Sequence, residues 1–253
     1  MKTKQRMFFL LLLAGISYAK MPNTAVSPFV VRGFSYTFTI SNFKIYDKNF
    51  GDRNNYGDWQ ETQELNRERL IFDSRMLYEN SWAANDFFSV GIKNRAEIEF
   101  MLALPFTVNS QVKVNVFSRT NTRDAFRNIA ISPFVGQFFQ RNIHDYNDIY
   151  GGISIGTRQS AANNRFLLEF YSSPMIYSSK LTILANNNNP EYYGKADFLT
   201  LNTPIGTRML IGRTRKFSWD LGVTPVIHLK DTWIKTNTAA FFMKTSFHLG
   251  RKR

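Results

Sequence analysis

Alternation is the feature that most constrains what this chain can fold into. Residues 34–40 (FSYTFTI) put Phe34, Tyr36, Phe38 and Ile40 on one side and Ser35, Thr37 and Thr39 on the other. The pattern returns many times. Ile98, Phe100, Leu102, Leu104 and Phe106 stand opposite a face that begins with Glu97 and Glu99. Val112, Val114 and Val116 stand opposite Lys113 and Asn115, and Phe166, Leu168 and Phe170 opposite Arg165 and Glu169. Phe217, Trp219, Leu221 and Val223 face away from Lys216, Ser218, Asp220 and Gly222. In the last such segment, Ala239, Phe241, Met243, Phe247 and Leu249 oppose Ala240, Phe242, Lys244, Ser246 and His248. A period of two is the signature of strands with one apolar and one polar face.

The N-terminus adds a second constraint. Lys2, Lys4 and Arg6 precede an apolar core at residues 7–16, and Ser17-Tyr18-Ala19 supplies small residues before a cut. This predicts a cleaved signal peptide over residues 1–19, so that residues 20–253 leave the cytoplasm. A spanning helix needs about 20 apolar residues, and this run is much shorter. The chain has no cysteine, which excludes a lipid anchor at the cut and a disulfide framework. The whole chain carries +13, and removing Lys2, Lys4 and Arg6 leaves +10. Aromatic residues make up 15% of the sequence, with 24 Phe and 11 Tyr, yet the mean hydropathy is negative. Such a chain spreads its aromatics by alternation rather than in blocks. After the signal, the longest wholly apolar run is about residues 100–106, too short for a spanning helix. If the chain enters a bilayer, it must do so as a closed barrel, which alone satisfies strand backbone in lipid.

Two architectures accommodate these strands. In a soluble β-sandwich the apolar faces meet each other; in a membrane barrel they meet lipid, and the polar faces line a lumen. Aromatic residues near strand ends suit interfacial girdles. Full charges in mid-strand suit a lumen, and its candidate lining is Glu97, Glu99, Lys113, Arg165, Glu169, Lys216, Asp220 and Lys244. At roughly 20 residues per strand and connection, the expected fold is all-β: a transmembrane, antiparallel, up-and-down β-barrel of about 10–12 strands forming a single domain. The signal peptide, the missing cysteine, the amphipathic strands, the asparagine-rich loops and the alternating last strand together resemble those of bacterial outer-membrane β-barrel proteins. That resemblance implies outer-membrane lipid and the barrel assembly machinery as partners, and the outer membrane of a Gram-negative-type bacterium as location. One departure is that Phe247-His248-Leu249 is followed by Gly250-Arg251-Lys252-Arg253 rather than ending the chain.

Long polar loops are expected at residues 46–67 and 185–195, the second carrying Asn186 to Asn189 and Pro190. Less regular strands are expected at 69–78, 87–92, 128–139, 149–158, 175–184 and 198–211. Turn chemistry at Pro105 with Asn109-Ser110, at Asn163-Asn164, at Ser172-Ser173-Pro174 and at Thr203-Pro204 separates strands. Residues 58–70 are the best helical stretch, and their polarity favours an irregular segment or a strand extension instead.

Catalytic signals are sparse. His144 precedes Asp145 in a polar connection, but neighbours in an extended chain point to opposite faces. His228 and His248 fall within strand patterns. No nucleophile elbow, zinc helix or phosphate-cradling loop occurs, so no enzyme activity, cofactor or metal is expected. Gly151-Gly152 lies inside a strand, where it allows bending or close packing. Arg208, Arg213, Arg215 and Lys216 around a turn are candidates for anions or lipid head groups, or are a solvated basic turn; small anionic solutes are a further candidate partner. Nucleic acid is not expected for an exported chain. The functional expectations are a passive small-solute pore or structural barrel, or alternatively an adhesion protein presenting its loops. A soluble exported sandwich and a membrane hydrolase rank below them. Barrels of 8–10 strands fill with side chains, whereas wider ones leave a water path.

Overall fold

The computed structural model describes residues 25–41, 45–47, 83–93, 95–103, 107–119, 128–141, 144–161, 165–183, 194–212, 215–230, 234–236 and 239–249. Fifteen strands are described, with no helix among these residues: β1 (Gly33–Ser41), β2 (Ile45–Asp47), β3 (Ala83–Ile92), β4 (Ala96–Ala103), β5 (Thr107–Val114), β6 (Phe117–Arg119), β7 (Ile129–Arg141), β8 (His144–Ala161), β9 (Phe166–Ser172), β10 (Met175–Ile183), β11 (Gly194–Asn202), β12 (Ile205–Ile211), β13 (Phe217–His228), β14 (Ile234–Thr236) and β15 (Ala239–Leu249). The loop at 46–67 lies outside the described residues beyond Asp47, as do 58–70, 69–78, Asn163-Asn164 and 185–193.

All pairings are antiparallel, and they close a ring. Three pairs of strands act as single staves: β5 with β6 against β7, β9 with β10 against β8, and β11 with β12 against β13. Ten staves result, ordered β1, β3, β4, β5/β6, β7, β8, β9/β10, β11/β12, β13 and β15. The last returns to the first, with Phe34 opposite Leu249 and Ser41 opposite Phe242. Closure leaves no open edge. β2 and β14 pair as a short ribbon beyond β1 and β13, with Ile234 opposite Asp47.

The prolines behave differently from the sequence expectation. Ser172-Ser173-Pro174 and Thr203-Pro204 do not turn the chain; they interrupt staves that continue in the same direction. A proline removes a donor but keeps its carbonyl. That carbonyl is used each time: Ile153 N donates to Pro174 O (3.1 Å), Ser173 N to Pro204 O (2.9 Å), and Thr203 N to Pro225 O (2.9 Å). Asn109-Ser110 likewise sits inside β5, and Pro105 lies outside the described residues. Only residues 142–143 join β7 to β8, so His144 opens a strand rather than lying in a polar connection. At the proline row β8 changes partner from β10 to β9. Gly152 permits the crossing, because a Cβ there would stand 2.1 Å from Pro174 O.

The two faces settle what surrounds the ring. Val135, Ile149, Ile176, Leu221, Phe241 and Leu249 point outwards and are more than half exposed. Ser132, Asp148, Ser154, Glu169, Asp220, Lys244 and Ser246 point inwards and are buried. An apolar surface of this extent is not sustained in water, while charges buried inside can be paired. The chain is a transmembrane β-barrel with lipid outside. On the half nearest β1's start and β15's end, an aromatic belt runs across neighbouring staves. Trp219 meets Phe217 (5.7 Å between centroids), Phe217 meets Phe247 (5.2 Å), Phe247 meets Tyr36 (6.5 Å), Tyr36 meets Phe88 (5.5 Å), and Phe88 meets Phe100 (5.7 Å). Such a band fits an interfacial girdle.

Candidate functional site: the filled lumen

Alternation turns one face of every stave inward, and the register then brings opposite charges side by side. Lys244 lies opposite Asp220, Asp220 opposite Arg208, Arg208 opposite Glu169, and Glu169 opposite Arg158. Five neighbouring staves thus carry a belt of alternating sign. Arg158 donates from Nε to Glu169 Oε1 at 2.9 Å, and Arg208 Nη1 reaches Glu169 Oε2 at 3.5 Å. Arg208 Nε also donates to Asp220 Oδ2 at 3.1 Å. Elsewhere on the ring Lys113 pairs with Glu97 at 3.2 Å, in register across β4 and β5. Glu97, Glu99, Lys113, Arg208 and Lys244 share one cavity of about 20 Å³, room for about one water molecule. Four carboxylates and four cations thus balance within this layer, leaving the chain's basic excess elsewhere.

The structure distributes the sequence-derived lining set in two ways. Glu97, Glu99, Lys113, Glu169, Asp220 and Lys244 face the lumen. Arg165 and Lys216 keep the same phase but lie at turns just before β9 and β13, where both are exposed. Among the described residues the basic set is split. Arg208 is well inside β12, in the charge belt, and cannot reach a lipid head group. Arg215 lies in the turn after β12 with a φ of 50°, and Lys216 follows it. Arg213 lies outside the described residues. Sequence reasoning missed Arg158 and Arg208 as lumen groups. The signal was present: Arg158 shares a phase with Ser154 and Gly156, and Arg208 with Gly206.

Away from the termini, the belt gives way to an aromatic layer. Tyr150 stacks on Tyr177 (6.1 Å) and Tyr177 on Phe198 (6.0 Å). Phe87, Met101 and Phe138 form a second buried group. Tyr150 OH donates to Asn109 Oδ1 at 3.1 Å, while Tyr177 and Ser179 both donate to Asp148. At the terminal end, His248 bridges Ser35 Oγ (2.8 Å) and Ser218 Oγ (3.0 Å).

The remaining volume is taken by the chain itself. Residues 25–31, just before β1, run up the lumen from the terminal end. Val31 packs with Leu167 and Leu210 near that end, and Ala25 with Tyr171 and Phe242 further in. Every residue from Ala25 to Val31 is buried. Its carbonyls are met by lumen donors: Lys244 Nζ at Ala25 O, Ser154 Oγ at Val26 O, Lys113 Nζ at Ser27 O (2.8 Å), and Ser132 Oγ at Pro28 O (2.7 Å) with Asn115 Nδ2 (3.3 Å). Ser27 Oγ donates to Glu169 Oε2 at 2.8 Å, and Val26 N to Ser173 Oγ at 3.2 Å. The Arg158 guanidinium lies 4.0 Å above the Phe29 ring, a cation–π arrangement. Gly91 gives the strap room: a Cβ there would stand 1.9 Å from Val31 O.

No known family pattern and no curated protein matches the chain. Among solved structures it is similar to the crystal structure of Ail, the attachment invasion locus protein of Yersinia pestis. The TM-score is 0.32 at 8% identity, over 86% of this chain and 99% of that one. A likeness of that degree carries no argument, and the barrel rests on its own pairing and faces.

Proposed function

We propose that this is a sealed, non-catalytic outer-membrane barrel of a Gram-negative-type bacterium that serves as a rigid platform for its longer loops. The observation that carries the reading is the filled lumen: an apolar contact at the terminal end, a strap held in a paired charge belt, and an aromatic layer above. Ten staves are at the size that side chains can fill. The connections support the platform part. The strands flanking residues 48–82, 104–106, 142–143, 184–193 and 229–238 end away from the termini, and those flanking 93–95, 120–128, 162–165 and 212–216 end on the terminal side, so the longest connections belong to the first end. Outer-membrane barrels keep short turns on the periplasmic side and longer loops outside, so the end of the barrel away from the termini is the exterior one.

Planar-bilayer recording on the refolded mature protein tests the seal. The expected result is no steady conductance step, and reproducible single-channel steps would restore the small-solute pore. Shortening residues 48–82 tests the platform. The barrel keeps its heat-modifiable gel migration, while adhesion of expressing cells to a surface drops to that of cells without the protein. Unchanged adhesion would remove this loop from the interaction.

A further inference from the structure

The strap is held like a bound ligand. Five lumen side chains, Lys113, Lys244, Ser132, Ser154 and Asn115, all donate to backbone carbonyls of four consecutive residues, 25–28. Carbonyls are common to every peptide, so these donors read backbone rather than side chains. Side-chain selectivity comes from elsewhere. Glu169 asks for a hydroxyl at the third residue. Residue 28 is proline, whose missing N–H no lumen group requires, and the Arg158 face takes an aromatic ring next. The partners lie far apart in sequence from the strap, by 86 residues for Lys113 and 219 for Lys244. The contacts therefore depend on a finished barrel rather than on local chain geometry. The strap's covalent link to β1 passes through Arg32, which is exposed, so the barrel wall is complete without that link.

We propose that the lumen is a binding site for a short peptide, occupied in cis by residues 25–31. A free peptide of this sequence binds the barrel once its own strap has been released. This inference rests on the sealed-barrel reading, since the strap supplies part of the seal. Its ligand class is a short, mostly apolar peptide with the order small–aliphatic–hydroxyl–proline–aromatic.

Two experiments on the full mature chain test it. In the first, a protease site is inserted between Arg32 and Gly33, the protein is folded, then cut, and the strap is washed out in urea at which the heat-modifiable band persists. A fluorescent synthetic peptide of residues 20–32 is then added. Saturable uptake of one peptide per barrel is expected, weakened about tenfold or more by Lys244→Met or Lys113→Met, each of which removes a charged hydrogen bond. A peptide of reversed sequence should not compete. Absence of saturable uptake by a barrel that keeps its heat-modifiable band overturns the proposal.

The second experiment holds even if the insertion blocks folding. The chain has no cysteine, so Ser27→Cys gives a single thiol in the strap. In the folded protein a maleimide dye should label it about a hundredfold more slowly than in the unfolded chain, and Lys244→Met should raise the folded rate about tenfold, by loosening one anchor. Labelling at the unfolded rate, or no effect of Lys244→Met, overturns the proposal. Bilayer current through the uncut chain would instead overturn the sealed-barrel reading, which keeps the two failures distinct.

Discussion

Val135→Arg should destabilise the barrel by about 2–4 kcal/mol, the cost of a cation at the lipid midplane of a barrel wall. Val135 is 57% exposed at the centre of β7, between Val112 on β5 and Gly151 on β8. A water-facing valine would take the same change within about 0.5 kcal/mol, so this one substitution separates a lipid-facing surface from a wet one. Asn147→Arg is the internal control. Asn147 also points outwards, but it sits near the start of β8, between Lys180 on β10 and Phe139 on β7, where polar side chains first join the outer face. Its cost should fall to about 0–1 kcal/mol, as near an interface. Urea midpoints of the heat-modifiable band in lipid vesicles measure both. Equal small losses at the two positions would show that no hydrocarbon touches Val135.

That test bears on how far the sequence was legible. Each strand's phase is written in its own residues: Phe217, Trp219, Leu221 and Val223 can only share a face, and Ser218 and Asp220 can only share the other. Inside and outside follow once the ring closes. The breaks were harder. Ser173-Pro174 and Thr203-Pro204 look like turns because proline ends most ladders, but a proline carbonyl still accepts, and a neighbouring stave supplied the donor each time. Whether such a dipeptide turns or continues depends on that neighbour, dozens of residues away. The strap was not legible at all. Residues 25–31 have no period of two and no charge, and their place is set by Lys113, Ser154 and Lys244, which reach the lumen from three separate staves. Arg158 and Arg208 fall between these cases. Their phase was readable, but their pairing with Glu169 needed the register of β8, β9 and β12.

Register also explains why Glu169 carries the largest expected single effect. Its carboxylate is fully buried and accepts from Arg158 and from the strap's Ser27, with Arg208 within 3.5 Å. Glu169→Ala takes from Arg158 the carboxylate it pairs with, leaves Arg208 to Asp220, and removes the acceptor of the Ser27 hydroxyl. Removing one partner of a buried ion pair costs about 3–5 kcal/mol, because the stranded charge stays desolvated. The loss should read as a lowered urea midpoint of the heat-modifiable band. Adding Arg158→Ala to that background should cost less than Arg158→Ala costs alone, since the pair acts as a unit. Asp148 provides the contrast. It too is buried, but Tyr177 and Ser179, its hydrogen-bond donors, are neutral. Asp148→Asn keeps an acceptor and strands no cation, so its cost should stay near that of one altered hydrogen bond, about 1–3 kcal/mol. If Glu169→Ala costs no more than Asp148→Asn, the alternating belt does not hold the barrel together, and the strap's other contacts are enough to keep the lumen filled.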